Sequence, residues 1–254
     1  MDRLDLGMTQ HGITGRKIRL NRLSDLAGSI DECLRSGIKT LVAVGNDTTA
    51  SKVINQIMKS RADEKKQAAF DGAVFGVISV SSPGLVSRCL GIDSIQASID
   101  ALKTGKTQTV DVGVLNNRHY FLSAAIFPQQ SVLTFLTYSV TSLHPDHQIS
   151  VCNANIFYQD NQDGPIGRFS CSDGKLEAVI AYRPHAPLLE RLLRKKKAAT
   201  SYVVESVFPI QKITVSHKQK IIRVVADAEK ELSAPVAVSL LPKSLKVIIG
   251  SGAA

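Results

Sequence analysis

Apolar runs and polar breaks alternate along the first hundred residues as strand followed by helix. Residues 38–44 read as a central strand whose apolar run, Leu41 to Val44, stops at Gly45. A helix-like segment over 50–60 follows at once, carrying Val53, Ile54 and Ile57. A short apolar run closed by turn residues predicts a parallel strand buried on both faces. Upstream, residues 17–21 read as a short strand. Ser24 reads as the N-cap of a helix to Arg35, whose Leu26, Ile30 and Leu34 recur every four residues. Residues 61–67 are charged and read as a solvated loop. Downstream, a second buried strand over 73–80 is broken by Ser81, Ser82, Pro83 and Gly84, and a short helix runs to Leu90. Asp93 or Ser94 caps a further helix with Ile95, Ile99 and Leu102 on one face, which Gly105 ends.

The pattern then changes. Residues 107–115 alternate, Asn116 and Asn117 signal a turn, and 119–127 run on as strand. Strand-like runs follow at 149–158, 176–182, 202–208, 212–216, 221–226, 236–241 and 245–249, with polar turns between them. The expected architecture is α/β plus all-β in two domains. Residues 1–105 form a Rossmann-like parallel-sheet domain, and 106–254 form a β-sandwich domain. The last strand belongs either to the second domain or back in the first.

Composition narrows the classes. The chain has 254 residues, 44% hydrophobic and 21% charged, enough for a packed core. No apolar run approaches the roughly 20 residues that cross a bilayer, and no signal peptide is read at the N-terminus. Cys33, Cys89, Cys152 and Cys171 are scattered. That argues against a zinc site or disulfide framework and fits a reducing cytosol, so a cytoplasmic location is expected. The net charge of +9 suggests an anionic partner: nucleotide, nucleic acid or acidic lipid headgroup. With no Trp and 5% aromatics, stacking on single strands is poorly supported, and no nucleic acid is expected.

Within 187–197, Leu188, Leu189, Leu192 and Leu193 stand beside Arg191, Arg194, Lys195, Lys196 and Lys197. One reading is a helix packed by its leucines with a solvated basic face. The other is peripheral contact with an anionic membrane, each basic residue contributing about 1 kcal/mol. His144 and His147 have metal-like spacing, but the stretch holds a proline and lacks a third ligand. His11 to Gly15 reads as a turn.

The stretch with most chemical content is Gly45, Asn46, Asp47, Thr48 and Thr49. Strand, Gly-bearing loop and helix is how α/β proteins build a phosphate site, from outward N–H groups and a helix N-terminus. The Asp47 carboxylate would then sit where a metal or nucleophile meets the phosphate. A plain tight turn reads the same way.

The order of motifs resembles the diacylglycerol kinase catalytic-domain family, which includes bacterial lipid kinases and sphingosine kinases. Residues 44–49 stand at its Gly-Gly-Asp-Gly-Thr loop, and Asn55 at the Asn of the following helix. Residues 76–84 stand at its Ile-Pro-Leu-Gly-Thr-Gly-Asn segment. Val110-Asp111-Val112-Gly113 and 117–122 look like the strand pair opening its second domain. Asp173-Gly174-Lys175-Leu176-Glu177 resembles Asp-Gly-x-Leu-Asp. Asp227-Ala228-Glu229 stands at Asp-Gly-Glu, and 241–247 resembles the lead into its last strand.

The resemblance implies an NAD kinase/diacylglycerol kinase-like fold with the site in the cleft. It implies transfer of the ATP γ-phosphoryl group, with Mg²⁺, to a lipid hydroxyl of diacylglycerol type. Gly45, Asn46, Asp47, Thr48, Thr49 and Ser82 would hold the nucleotide. Asp47, Asp227 and Glu229 would hold metal. Asp227 and Asp47 would approach across the cleft as the catalytic pair, so Asp227→Asn should leave folding intact while turnover falls. The departures are Asn46 and Thr48 for glycines, Lys52 for a Glu, Ser81-Ser82-Pro83-Gly84 for Gly-Thr-Gly-Asn, and a shortened stretch after Leu122. They point to the alternative, a non-catalytic nucleotide- or lipid-binding relative.

Overall fold

The computed structural model describes residues 2–20, 25–80, 84–142, 144, 146–157, 169–182 and 202–252. The first part alternates helices and parallel strands: α1 (Asp2–Gln10), α2 (Leu26–Arg35), β1 (Thr40–Gly45), α3 (Asp47–Ala62), α4 (Gln67–Phe70), β2 (Val74–Ser79), α5 (Leu85–Cys89) and α6 (Ile95–Thr104). β1 and β2 pair in parallel, from Thr40 opposite Val74 to Gly45 opposite Ser79. Helix α3 packs on β1 through Ile54 and Ile57, which are fully buried and stabilise by about 1.5–3 kcal/mol each. Ser94 caps α6 through Ala97 N–H, and Gly105 closes it in a left-handed conformation. Residues 17–20 are not a strand; Ile18 and Leu20 are exposed and no strand pairs with them. The charged connection is shorter than expected, because α3 runs to Ala62 and α4 follows.

The second part supplies β3 (Thr107–Leu115), β4 (His119–Phe121), β5 (Ala124–Ile126), β6 (Val132–Thr134), β7 (Ser139–Thr141), β8 (Gln148–Cys152), β9 (Leu176–Tyr182), β10 (Val203–Ile210), β11 (Lys212–Ser216), β12 (Ile221–Ala226), β13 (Ala228–Ser233) and β14 (Val236–Ile248). Asn116 and Asn117 both have positive φ, 49° and 54°, the turn geometry whose twist suits a hairpin. The run over 119–127 is not one strand. It breaks at Leu122 and Ser123, whose N–H groups donate to the Asp227 carboxylate, and β5 joins the other sheet. β6 and β7 are too short to show periodicity, and β13 hides behind Glu229, Lys230 and Glu231.

The strands form two sheets. One runs β1-β2-β14-β11-β6-β7, with β3 pairing β14 and β4; the other runs β10-β9-β8-β5-β12-β13. Phe121, Phe127, Leu133, Val215, Val224 and Val238 are among the side chains packed between them. β14 is one strand rather than two, because a register shift between Leu241 and Leu245 absorbs Pro242 and Lys243. Its first half pairs antiparallel with β11, and its end pairs parallel with β2, Val247 opposite Phe75. The last strand therefore returns to the α/β part, and the two parts share a sheet. The architecture is α/β with parallel strands plus an antiparallel β-sheet layer, as the sequence pattern predicts.

Candidate active site

Gly45 ends β1 and Asn46 caps α3. Asn46 is extended (φ −106°, ψ −177°), and its Oδ1 accepts from Thr49 N–H at 3.1 Å and from Thr49 Oγ1 at 3.3 Å. The loop thus needs no glycine at Asn46, and Thr48 lies inside the first helical turn. The cost is that Thr49 N–H is consumed by the cap rather than offered to a ligand.

Asp47 opens α3. Its Oδ2 accepts from Leu85 N–H at 2.7 Å, so it caps α5 from a neighbouring element. Burial raises its pKa, against the opposing backbone N–H groups of Leu85 and Val86 and the charge of Arg88. Gly84 makes the contact possible: a Cβ there would lie 2.1 Å from Asp47 Oδ1. Gly84→Ala is therefore expected to cost about 1–3 kcal/mol, read as a lower urea midpoint with an unchanged slope.

Asp227 sits in the tight connection between β12 and β13 with φ 53°. It is buried, and its carboxylate accepts from Leu122 N–H at 2.5 Å, from Ser123 N–H at 2.9 Å and from the Ser123 hydroxyl. Burial raises its pKa more than these donors lower it, and the negative charge of Asp47 adds to the rise. Of the two acids expected to face one another, Asp227 feels the negative charge of Asp47. Both carboxylates, however, already hold backbone.

Glu229 does not join them. It is exposed and pairs with Arg223 at 2.9 Å. Among the described residues, no three His, Cys, Asp or Glu side chains converge as a metal would need. The three-acid Mg²⁺ set inferred from the resemblance does not fit the positions its members take, because Glu229 is turned onto Arg223 and both Asp227 oxygens hold Leu122 and Ser123. Ser82 lies outside the described residues, as do Arg191, Arg194, Lys195, Lys196 and Lys197. None of the described helices is long and apolar enough to cross a membrane.

Other matching motifs form a clasp. Asp111 is fully buried, and its carboxylate accepts from Gly174 N–H and Lys243 N–H, each at 2.7 Å. One side chain so joins Val110-Asp111-Val112-Gly113, Asp173-Gly174 and the Leu241–Leu245 shift. Asn55 acts likewise: its side chain exchanges hydrogen bonds with the Tyr120 backbone at 2.8 and 2.9 Å, docking α3 on β4. Glu177, at the acidic position of Asp-Gly-x-Leu-Asp, is buried with Oε2 lacking any partner. Its pKa is pushed up to about 7 by burial and by repulsion from Asp173.

The sequence reading did not single out Lys59, His119 or Lys230 as site residues. With Lys52 they line a hollow on the flank of α3. The signal was present: a polar stripe at 52, 55, 56 and 59 on α3, and Lys230 in phase with Leu232 on β13.

No family model matches the chain. Two curated relatives, both named diacylglycerol kinase and both from Staphylococcus epidermidis strains, are 30% identical over 105 residues. That match covers 41% of this chain and only 30% of each relative. A solved structure of a diacylglycerol kinase from Bacillus anthracis str. Sterne superposes with TM-score 0.64 at 14% identity, over 93% of this chain and 85% of that one. A putative diacylglycerol kinase from the same organism gives 0.69 at 15%, over 100% and 91%. An NAD kinase from Archaeoglobus fulgidus in complex with ATP gives 0.51 at 11%, over 98% and 89%. The resemblance read from the motifs stands, and the fold is the one these kinases share.

Proposed function

We propose that the protein is a lipid-kinase-like nucleotide-binding protein whose centre for phosphoryl transfer is degenerate. The observation that carries this is the engagement of its acids. Asp227 gives both carboxylate oxygens to Leu122 and Ser123, Asp47 gives Oδ2 to Leu85 N–H, and Glu229 pairs with Arg223 on an exposed face. A carboxylate that must take a proton from a lipid hydroxyl, or hold a metal, needs an oxygen free to do so. The nucleotide phosphates would meet the N-terminus of α3 beside Gly45, Thr48 and Thr49. Of these, Thr48 is exposed and Gly45 and Thr49 half-buried. The lipid is a partner by family likeness alone, and an anionic membrane surface by the basic run of Arg191, Arg194, Lys195, Lys196 and Lys197 alone.

Thermal unfolding with ATP is the test. A rise of about 5–10 °C is expected at a hundredfold excess over Kd, the same with and without Mg²⁺. Thr48→Glu, which sets a negative charge at the helix start, is expected to abolish the shift. Labelled phosphate should not pass from ATP to lipid extracts. No shift with any nucleotide would overturn nucleotide binding.

A second reading, an active lipid kinase, draws on the coupling between Asp47 and Asp227. Mg²⁺-dependent transfer by the wild type, raised by Lys52→Glu, would establish it in place of the first.

A further inference from the structure

Between α3, β4 and β13 lies a cavity of about 310 Å³, at the lower end of the range for small-ligand pockets, roughly 300–1,000 Å³. Lys52, Lys59, Lys230 and His119 line it, with Ser51 and Asn55 between them. The helical repeat stacks Lys52, Asn55 and Lys59 on one face of α3. The strand repeat sends Lys230 toward α3 and leaves Glu229 and Glu231 on the opposite side of β13, where both face Arg223.

The cations here have no acid of their own. Among the described residues, no carboxylate forms an ion pair with Lys52, Lys59 or Lys230; Lys230 Nζ reaches only Ser51 Oγ, at 3.5 Å. Asn55 is committed to Ser51 and Tyr120, so it fixes the wall rather than answering the charge. The strain shows in the titrating groups. Burial and the charges of Lys59 and Lys52 lower the Lys230 pKa, against the field of Asp227. Burial and Lys230, Lys59 and Arg118 lower that of His119. Like charges brought together from two elements, α3 and β13, into a partly enclosed hollow repel one another, and a bound anion would remove that repulsion. A carboxylate brings one charge. A phosphomonoester or pyrophosphate brings two or more, with several oxygens to take ammonium donors from different directions.

We infer that this cavity is a binding site for a multiply charged phosphate group, either a soluble pyrophosphate or phosphomonoester or the headgroup of a phosphomonoester lipid. It does not depend on nucleotide binding beside Gly45.

The experiment is calorimetric titration of the full chain with inorganic pyrophosphate at low and moderate salt. One site is expected, weakened by salt. Lys52→Met and Lys230→Met should each weaken it about tenfold or more, while Arg223→Met, which removes a cation paired with Glu229 and Glu231 on the other side of β13, leaves it unchanged. Removing either charge relieves repulsion, so neither variant should melt lower. If Lys230→Met fails to fold, Lys52→Met, on the helix surface, decides alone. A parallel arm uses phosphatidylcholine vesicles carrying phosphatidate or phosphatidylglycerol. Binding selective for phosphatidate, lost in the Lys52 variant and displaced by pyrophosphate, assigns the lipid headgroup. Pyrophosphate binding without vesicle binding assigns a soluble ligand. Absence of both, or binding indifferent to Lys52 and Lys230, overturns the site. Pyrophosphate binding unaltered by saturating ATP separates this site from the one beside Gly45, and displacement of pyrophosphate by ATP overturns a separate site.

Discussion

Asp227→Asn is expected to lower the unfolding free energy by about 1–3 kcal/mol, and Asp227→Ala by about 3 kcal/mol or more. From sequence alone the asparagine is a silent replacement of shape. The geometry gives another expectation. Both carboxylate oxygens of Asp227 receive donors: Leu122 N–H on one, Ser123 N–H and the Ser123 hydroxyl on the other. An amide has one acceptor oxygen. However it is turned, its NH₂ faces a backbone N–H, and one buried donor loses its partner. Alanine abandons all three. Relief from burying a charge offsets part of the asparagine cost, which is why the range for Asn lies below that for Ala. The corner at Leu122 and Ser123 is where the chain passes from one sheet to the other, so the loss should be global. Urea unfolding followed by fluorescence and by far-UV dichroism is the measurement. Coincident curves with a lower midpoint are expected, and a midpoint equal to wild type for Asp227→Ala would remove Asp227 as a clasp.

The second large effect concerns pH. Glu177 titrates near 4.5 when unfolded and at about 7 in the fold. The native state therefore holds this proton more tightly than the unfolded chain. Its contribution is most favourable below pH 4.5, falls as pH rises from 4.5 through about 7, and is flat above. The size is on the order of 2 kcal/mol, since one unit is worth about 1.4 kcal/mol and the site is not wholly dry. Glu177→Gln keeps the shape and removes the charge. At pH 8 the variant should be the more stable protein by about that amount, and at about pH 4 the two should nearly agree. Subtracting the two urea series cancels Asp47 and Asp227, whose raised values give a slope of the same sign. A difference that does not change with pH would show that Glu177 stays charged in the fold.

Both predictions concern residues that sit in matching motifs, and both act on the scaffold. Asp111, Asn55 and Asp227 behave alike: each spends a polar side chain on the backbone of a distant element. In this fold, retained family-like acids hold the sheets together. Their retention is therefore no sign of retained transfer chemistry.

The sequence by itself determined the elements whose signal is local. The 38–44 run, its Gly45 stop and the α3 face of Ile54 and Ile57 follow from burial and period. The Ser94 and Gly105 ends of α6 follow from capping, and the Asn116-Asn117 turn from residues that accept positive φ. The ordered motifs brought out the kinase-like fold. Tertiary structure alone decided the rest. A break at Leu122 inside an apolar run has no local mark, because the acid that draws its N–H groups away lies 105 residues on. The union of 236–241 and 245–249 into one strand likewise depends on Asp111 receiving Lys243 N–H from across the sheet. Whether Asp47, Asp227 and Glu229 converge is a question of which partner each oxygen meets, and no spacing encodes it. The cationic hollow escaped for the same reason: Lys52 and Lys230 are 178 positions apart in the chain, and only the packing of β13 on α3 places their charges in one cavity.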